Sequence, residues 1–420
     1  MYLGIIADDF TGGTDIAGFV VQNGLSVIQY IGVPDTAPSP PPDAALVSLK
    51  SRSCPKEEAV RDSLAALEWL RRQGCRQIFF KYCSTFDSTA EGNIGPVTDA
   101  LLDELGVDIT IMAPALPVNG RSVYCGYLFV NGVPLNESGM RHHPVTPMLD
   151  ANLMRLTERQ SRGKAANIPA SVIEAGAGAI RKALDDLRQQ GIRYAVPDTL
   201  NDAQLDALGA AVSDLPLVTG GSGLGAGLAR HYARARNLDG GKSVEAGRPP
   251  GGRGIVLSGS ASLMTNAQVD RYKALAGSFR VDARRCVRDA QAYADEMAAW
   301  ASSRPRDGRA PLVYATAEPE ELAAIQKELG AENSGRAVEA VFAALAVRLK
   351  AEGFDHFIVA GGETSGAVVK SLGIKAFHIG PQIAPGVPWV RAVDQPISLA
   401  LKSGNFGDED FFLKAQEWHQ

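Results

Sequence analysis

Cysteine is scarce in this chain: 420 residues contain only Cys54, Cys75, Cys83, Cys125 and Cys286. Odd in number, scattered and never spaced as Cys-x-x-Cys, they supply neither a disulfide frame nor a zinc site, and they read as reduced, mostly buried thiols in a cytoplasm. Long apolar runs are also missing. No stretch reaches the roughly 18 residues that a membrane helix needs, and the first apolar run has no basic segment before it and is cut by Asp8, unlike a signal peptide. There is no long basic run, and the formal net charge is −5. That balance argues against a nucleic-acid groove or an anionic membrane as the main partner and leaves small or phosphorylated ligands open. A Walker A loop, the Gly-x-Gly-x-x-Gly dinucleotide spacing and a repeat of fixed period are all lacking.

What is present is a rhythm. Short β-branched or aromatic runs at 26–31, 45–49, 77–81, 108–112, 194–197 and 216–219 alternate with helical patterns such as 56–72 and 170–189. This predicts an α/β fold with mainly parallel sheets and flanking helices. The length favours two domains. Residues 237–254, rich in glycine and proline and without periodicity, predict a linker between a domain over 1–236 and one over 255–420. After it the rhythm restarts with strands expected at 255–257, 278–281, 311–315 and 356–359.

The most informative stretch follows the first strand: Ala7-Asp8-Asp9-Phe10-Thr11-Gly12-Gly13-Thr14-Asp15. Thr11 or Asp15 could close the first turn of a helix. Two adjacent carboxylates at a strand tip repel each other, however, and something must hold them there. Strand tips of open α/β sheets are where ligands bind. Ser51-Arg52-Ser53 and Lys81-Tyr82-Cys83-Ser84-Thr85-Phe86-Asp87 follow other strands, and Asn119-Gly120-Arg121 comes soon after another. Converging strand ends would bring Arg52, Lys81 and Arg121 beside Asp8, Asp9 and Asp87. Such a mixture suits a polyhydroxylated acid, the guanidinium groups taking its carboxylate. His142, in the aperiodic run Ser138-Gly139-Met140-Arg141-His142-His143, is a candidate substrate contact and not a strong metal signal. Thr219-Gly220-Gly221-Ser222-Gly223-Leu224-Gly225 could aim a helix N-terminus at an anion or be a compact turn before a helix over 226–235.

In the second half, Ser258-Gly259-Ser260 and Gly361-Gly362-Glu363-Thr364 are glycine-rich turns at strand ends, and Gly404-Asn405-Phe406-Gly407 is a third such piece. Glycine lets the backbone approach a phosphate, and a following helix N-terminus offers unpaired N–H donors.

The opening Ile-Ala-Asp-Asp-Phe-Thr-Gly-Gly-Thr-Asp, the Lys-Tyr-Cys-Ser-Thr-Phe-Asp-Ser-Thr loop and the Gly-Gly-Glu-Thr-Ser-Gly turn together resemble the four-carbon acid sugar kinases over nearly the whole chain. The strings running from Phe86 to Pro96 and from Glu137 to Arg141 are most similar to its 3-oxo-tetronate kinase branch, with D-threonate and D-erythronate kinases as near relatives. The resemblance implies an N-terminal sugar-acid domain, a C-terminal ATP domain, and transfer of the γ-phosphoryl group to the C4 hydroxyl with Mg²⁺. It implies ATP contacts at Ser258, Gly259, Ser260, Gly361, Gly362, Glu363, Thr364, Gly404 and Gly407. Substrate contacts are expected at Asp8, Thr11, Arg52, Lys81, Ser84, Asn119, Arg121 and His142. Asp9 is the first expectation for the proton acceptor and Asp87 the second. Gly13 departs from the family, where alanine is more usual. Domain closure is expected to exclude water, and a cytoplasmic homodimer is a natural form for such an enzyme. A sugar-acid lyase or isomerase, and a sensor that binds without turnover, are the alternatives from other classes.

Overall fold

The computed structural model describes every residue except 37–39, 143–145, 239–243, 307, 318 and 418–420; the side chains of His142, Pro319, Leu322 and Ala331 are also outside the description. The chain divides into two units, Met1–Val244 and Glu245–Gln420. Of the expected linker at 237–254, residues 239–243 lie outside the described part.

The first unit runs β1 (Leu3–Ala7), α1 (Phe10–Gln22), β2 (Val27–Ile31), β3 (Ala44–Ser48), α2 (Lys56–Arg72), β4 (Gln77–Lys81), α3 (Ile94–Leu105) and β5 (Thr110–Ala113). A small antiparallel sheet follows: β6 (Arg121–Tyr124), β7 (Tyr127–Val130) and β8 (Val133–Pro134). Then come α4 (Leu153–Gln160), β9 (Lys164–Ile168), α5 (Ala170–Glu174), α6 (Ala177–Gln189), β10 (Ile192–Pro197), α7 (Asp202–Val212), β11 (Leu217–Gly220) and α8 (Ser222–Arg236). The main sheet has the order β2-β3-β1-β4-β11-β5-β10-β9, with every pairing parallel. Its central strands are apolar on both faces, as helices on both sides require: all five residues of β1 and of β3 are buried. The helix expected over 170–189 is two helices, because Gly176 adopts φ +91° and breaks the run between α5 and α6.

The second unit runs β12 (Gly254–Ser258), α9 (Leu263–Lys273), β13 (Ser278–Arg280), α10 (Ala283–Arg288), α11 (Ala290–Ser302), β14 (Leu312–Tyr314), α12 (Pro319–Leu329) and α13 (Ala331–Ala351). It continues with β15 (His356–Ala360), α14 (Gly362–Ser371), β16 (Ala376–Ala384), β17 (Val387–Ala392), β18 (Ser398–Lys402) and α15 (Phe411–Lys414). The sheet order is β13-β14-β12-β15-β18-β17-β16, parallel except that β17 runs against both its neighbours. Val256, Ile358, Trp389, Phe411 and Phe412 form much of its core. The β16–β17 ribbon is invisible in the pattern, because Pro381, Pro385 and Pro388 read as breakers. The structure accommodates them with register shifts near Gln382 and Ala384.

Candidate active site

Within the first unit, β1 leads through α1 to β2 on one side of itself, while β4 lies on its other side. Loops leaving the C-terminal ends of such strands part and leave a crevice. The backbone fixes three of them together: Asp8 N–H donates to Lys81 O at 3.0 Å, and the N–H groups of Ser51 and Arg52 donate to Asp8 O at 2.9 and 3.2 Å. Arg52 is what holds the two acids. Its Nε donates to Asp8 Oδ2 at 2.9 Å, and its Nη2 donates to Asp8 Oδ1 and Asp9 Oδ1, both at 2.8 Å. Asp9, rather than Thr11 or Asp15, caps α1: its Oδ1 accepts from Gly12 N–H at 2.9 Å and its Oδ2 from Thr11 Oγ1 at 3.0 Å. Thr11 thus reaches the carboxylate that caps its own helix.

These contacts separate the two acids electrically. Burial pushes the Asp8 carboxyl above its usual range, opposed by Arg52 and reinforced by Asp9. Burial acts the same way on Asp9, but Arg52, Lys81 and the bonds from Thr11 and Gly12 outweigh it and hold that carboxyl low. Burial disfavours charge on Arg52, yet the two carboxylates more than reverse this. Arg52 is therefore committed to the protein's own acids before any ligand arrives.

Lys81 is buried and its Nζ donates to Tyr82 O at 2.9 Å. The loop beyond it is tightly built. Thr85 Oγ1 donates to Asp87 Oδ1 at 2.6 Å, and Phe86 is buried in the left-handed region at φ +50°, a strained conformation for an aromatic residue. Ser84 is half-buried in the same turn. Asp87, Asp8 and Arg52 line one small cavity together with Asn93. Asn93 escapes sequence reasoning: its Nδ2 donates to Ser51 O at 2.8 Å and Cys54 O at 2.9 Å, tying the Arg52 loop to the start of α3. Arg121, the first residue of β6, donates from Nη1 to Asn119 O, and its Nε is buried with no hydrogen-bond partner among the described residues. The expectation for His142 falls on a side chain outside the described part.

Asp15, a possible cap by its sequence, has another setting in the structure. It stands on α1 where Ser222 Oγ donates to its Oδ2, while Oδ1 is buried without a hydrogen-bond partner among the described residues. Burial pushes its carboxyl up, against the pull of Lys81 and Ser222. Its signal is long-range, since Ser222 is 207 residues away. Ser222 corrects a second expectation. The helix does not wait until 226 but starts at Ser222, so Gly223, Gly225 and Gly227 lie inside α8. They serve close packing: a Cβ on Gly225 would stand 2.7 Å from Ile16 of α1, and one on Gly227 would stand 2.2 Å from Leu205 O of α7.

In the second unit the strand order again turns between β12 and β15, and the glycine pieces meet at the C-terminal ends of β12, β15 and β18. Gly259 N–H donates to Ala360 O at 3.0 Å and Gly361 N–H to Lys402 O at 2.9 Å. Gly361 needs its lack of a side chain, having φ +120° and Ser260 N only 3.2 Å from where a Cβ would stand. Among the described residues no side chain caps α14, which leaves the N–H groups of its first turn available, and none stands within 4 Å of where a Cβ on Gly362 would be. Glu363 is exposed, Thr364 buried, and Ser258 directs its buried hydroxyl to Thr316 Oγ1 at 2.7 Å. A Cβ on Gly404 would come 2.6 Å from Ser260 Oγ, and Gly407 adopts φ +75°. Behind the turns lies Lys402, fully buried, with Nζ donating to Thr265 Oγ1, Ser403 O and Gly404 O, each at 3.0 Å.

Comparison with known proteins gives a consistent picture. A family model described as a sugar-binding N-terminal domain matches residues 3–228, and one described as a nucleotide-binding C-terminal domain matches 255–412. The chain is 57% identical to a 3-oxo-tetronate kinase of Brucella melitensis, over 99% of this chain and 95% of the relative. It is 55% identical to the 3-oxo-tetronate kinase of Salmonella typhimurium strain LT2, over 100% and 99%. A crystal structure from Salmonella typhimurium LT2, provisionally described as a tRNA synthase, superposes with a TM-score of 0.94 at 54% identity, covering 100% of both chains. One from Haemophilus influenzae does so with a TM-score of 0.85 at 51% identity, covering 98% and 99%.

Proposed function

Since the chain belongs to the four-carbon acid sugar kinase family and is a kinase, we propose that it transfers the γ-phosphoryl group of ATP to the C4 hydroxyl of 3-oxo-tetronate. D-Threonate and D-erythronate are the neighbouring substrates in this reading. The observation that carries the ATP half is the uncapped N-terminus of α14, facing open space at Gly362 and braced by the two other glycine turns. Backbone N–H groups there, with the helix dipole, suit phosphate oxygens.

The acid is proposed to lie at the β1–β4 tip, with Arg121 and Lys81 as its cationic contacts and Asp8, Asp9 and Asp87 near its hydroxyls. Arg52, already shared between two carboxylates, is read as the group that holds them in place. The loose transition state of phosphoryl transfer spreads charge over the phosphoryl oxygens, so orientation and donors matter more than covalent chemistry. Among the described residues no group of three or more His, Cys, Asp or Glu is placed to hold a metal ion. Mg²⁺ needs only one or two carboxylates beside phosphate oxygens, and it is proposed to arrive with the nucleotide.

A coupled ADP-release assay across four-carbon aldonic and keto acids tests the reading. ADP should appear only with both ATP and an acid, and fastest with 3-oxo-tetronate. Consumption of a sugar acid without ATP would replace the kinase by a lyase or isomerase.

A further inference from the structure

Four carboxylates stand near the β1–β4 tip, and their unused acceptor capacity differs. Asp8 gives both oxygens to Arg52. Asp9 divides its two among Arg52, Gly12 and Thr11. Asp87 accepts from Thr85. Asp15 alone has an oxygen, Oδ1, that is buried and lacks a hydrogen-bond partner among the described residues. Its other oxygen is held by Ser222, which fixes the carboxylate from the start of α8. The charged groups acting on it are Lys81 at the end of β4, Asp9 before α1 and Arg121 on β6. Arg121 also carries a buried unpaired donor, Nε. Asp15 thus holds an acceptor without a donor under the electrostatic pull of Arg121, itself a donor without an acceptor, and the pair matches a ligand that has both a hydroxyl and an anionic or carbonyl oxygen.

We propose that Asp15 is the general base: as the substrate hydroxyl oxygen attacks the γ-phosphorus, the new O–P bond forms, the bond to the bridging oxygen breaks with its electron pair leaving on ADP, and the hydroxyl proton passes to Asp15 Oδ1. The inference rests on the kinase reading above and moves the proton from Asp9, the first expectation, to the next carboxylate along α1. Burial makes Asp15 a stronger proton acceptor than an exposed aspartate, whereas Asp9 is held in the opposite direction. Asp9 and Arg52 then build the floor on which α1 starts.

The test is Asp15→Asn in the full chain, with kcat and both KM values measured and acid binding followed by calorimetry. The side chain keeps its size and can still accept from Ser222. The expected result is a fall in kcat of about 10²–10⁴-fold, with acid binding and the KM for ATP within a few fold of the parent, and loss of the acidic limb of the kcat profile. A kcat within tenfold of the parent overturns the proposal. So does loss of acid binding that accounts for the whole defect, which would make Asp15 a binding group only. If Asp15→Asn does not fold, Asp15→Glu replaces it: the expected outcome is a kcat at least tenfold down with an acidic limb that persists but moves, and an unchanged rate and profile reject the base. Failure of the kinase reading looks different, because the parent protein itself would then release no ADP with any acid.

Discussion

The two units share a strand order and differ in what stands at its tips. In each, the first strand is central, the second lies two places away, the third fills the gap and the fourth pairs on the opposite side: β2-β3-β1-β4 and β13-β14-β12-β15. At the first tip are Asp8, Asp9, Asp15, Asp87, Arg52 and Lys81, with Arg121 acting electrostatically on Asp15. At the second are glycines and hydroxyls, with exposed carboxylates at Glu363 and Asp408 and a lysine, Lys402, turned inward. Topology therefore locates a site without choosing its ligand. Side-chain charge fits an acid whose hydroxyls must be told apart, and bare backbone N–H groups fit phosphates that recur in every nucleotide.

The sharpest way to break the contrast is to remove the first tip's internal cation. Arg52→Ala leaves Asp8, which is almost sealed, and Asp9 without their partner. Breaking a buried pair on one side costs about 3–5 kcal/mol. The Arg52 side chain is 25% exposed, so the lower end applies. Urea denaturation should show that loss, and it should shrink in Arg52→Ala/Asp8→Asn. Equal losses in the two variants would mean that Arg52 acts by packing and not by charge.

The second tip should respond to volume instead. Gly362→Leu places a side chain where the protein itself has open space, so thermal stability should hold while the KM for ATP rises about 10–100-fold, or about 1.4–2.7 kcal/mol. The KM for the acid should stay put. Unchanged ATP saturation would remove the phosphate role from the start of α14.

Much of this contrast was legible in the residues, because it is local. The strand 77–81 and the helix 56–72 match β4 and α2 residue for residue, and the acidic turn, the Lys81 loop and the three glycine pieces are short strings. What stayed hidden depends on partners distant in the chain. Arg52 holds Asp8 across 44 residues, and Lys402 reaches Thr265 across 137. Asp15 acquires its setting only when α8 is packed beside α1. Glycine was also ambiguous: at Gly361 it permits a turn, while at Gly225 it lets two helices touch.

Lys402 offers a test by pH. Burial lowers its pKa to about 7, although three acceptors surround the amine. In the unfolded chain it titrates near 10.4. Between these values the unfolded state binds more protons, so stability should rise with pH from about 7 toward 10, by at most about 1.4 kcal/mol per pH unit. Below pH 7 both states are protonated and this slope disappears. Lys402→Met should flatten the rise in denaturant titrations at several pH values. A slope that survives would assign the dependence to other groups.

The smallest effect concerns Gly13, a buried glycine inside α1. Alanine favours a helix interior by about 0.5–1 kcal/mol over glycine, which alone predicts that Gly13→Ala stabilises α1. Here, however, its Cβ would stand 2.4 Å from Ser48 Oγ, and Ser48 is itself held by Gln29 Nε2 at 2.9 Å. Overpacking costs about 1–3 kcal/mol, so sterics win and a net loss of about 1 kcal/mol is expected in thermal melts, with kcat little changed. Gly13→Ala/Ser48→Ala should recover the loss, because the hydroxyl that occupies the space is gone. A Gly13→Ala variant more stable than the parent would show that β3 yields easily beneath α1, and that the floor of the charged tip is softer than its hydrogen bonds imply.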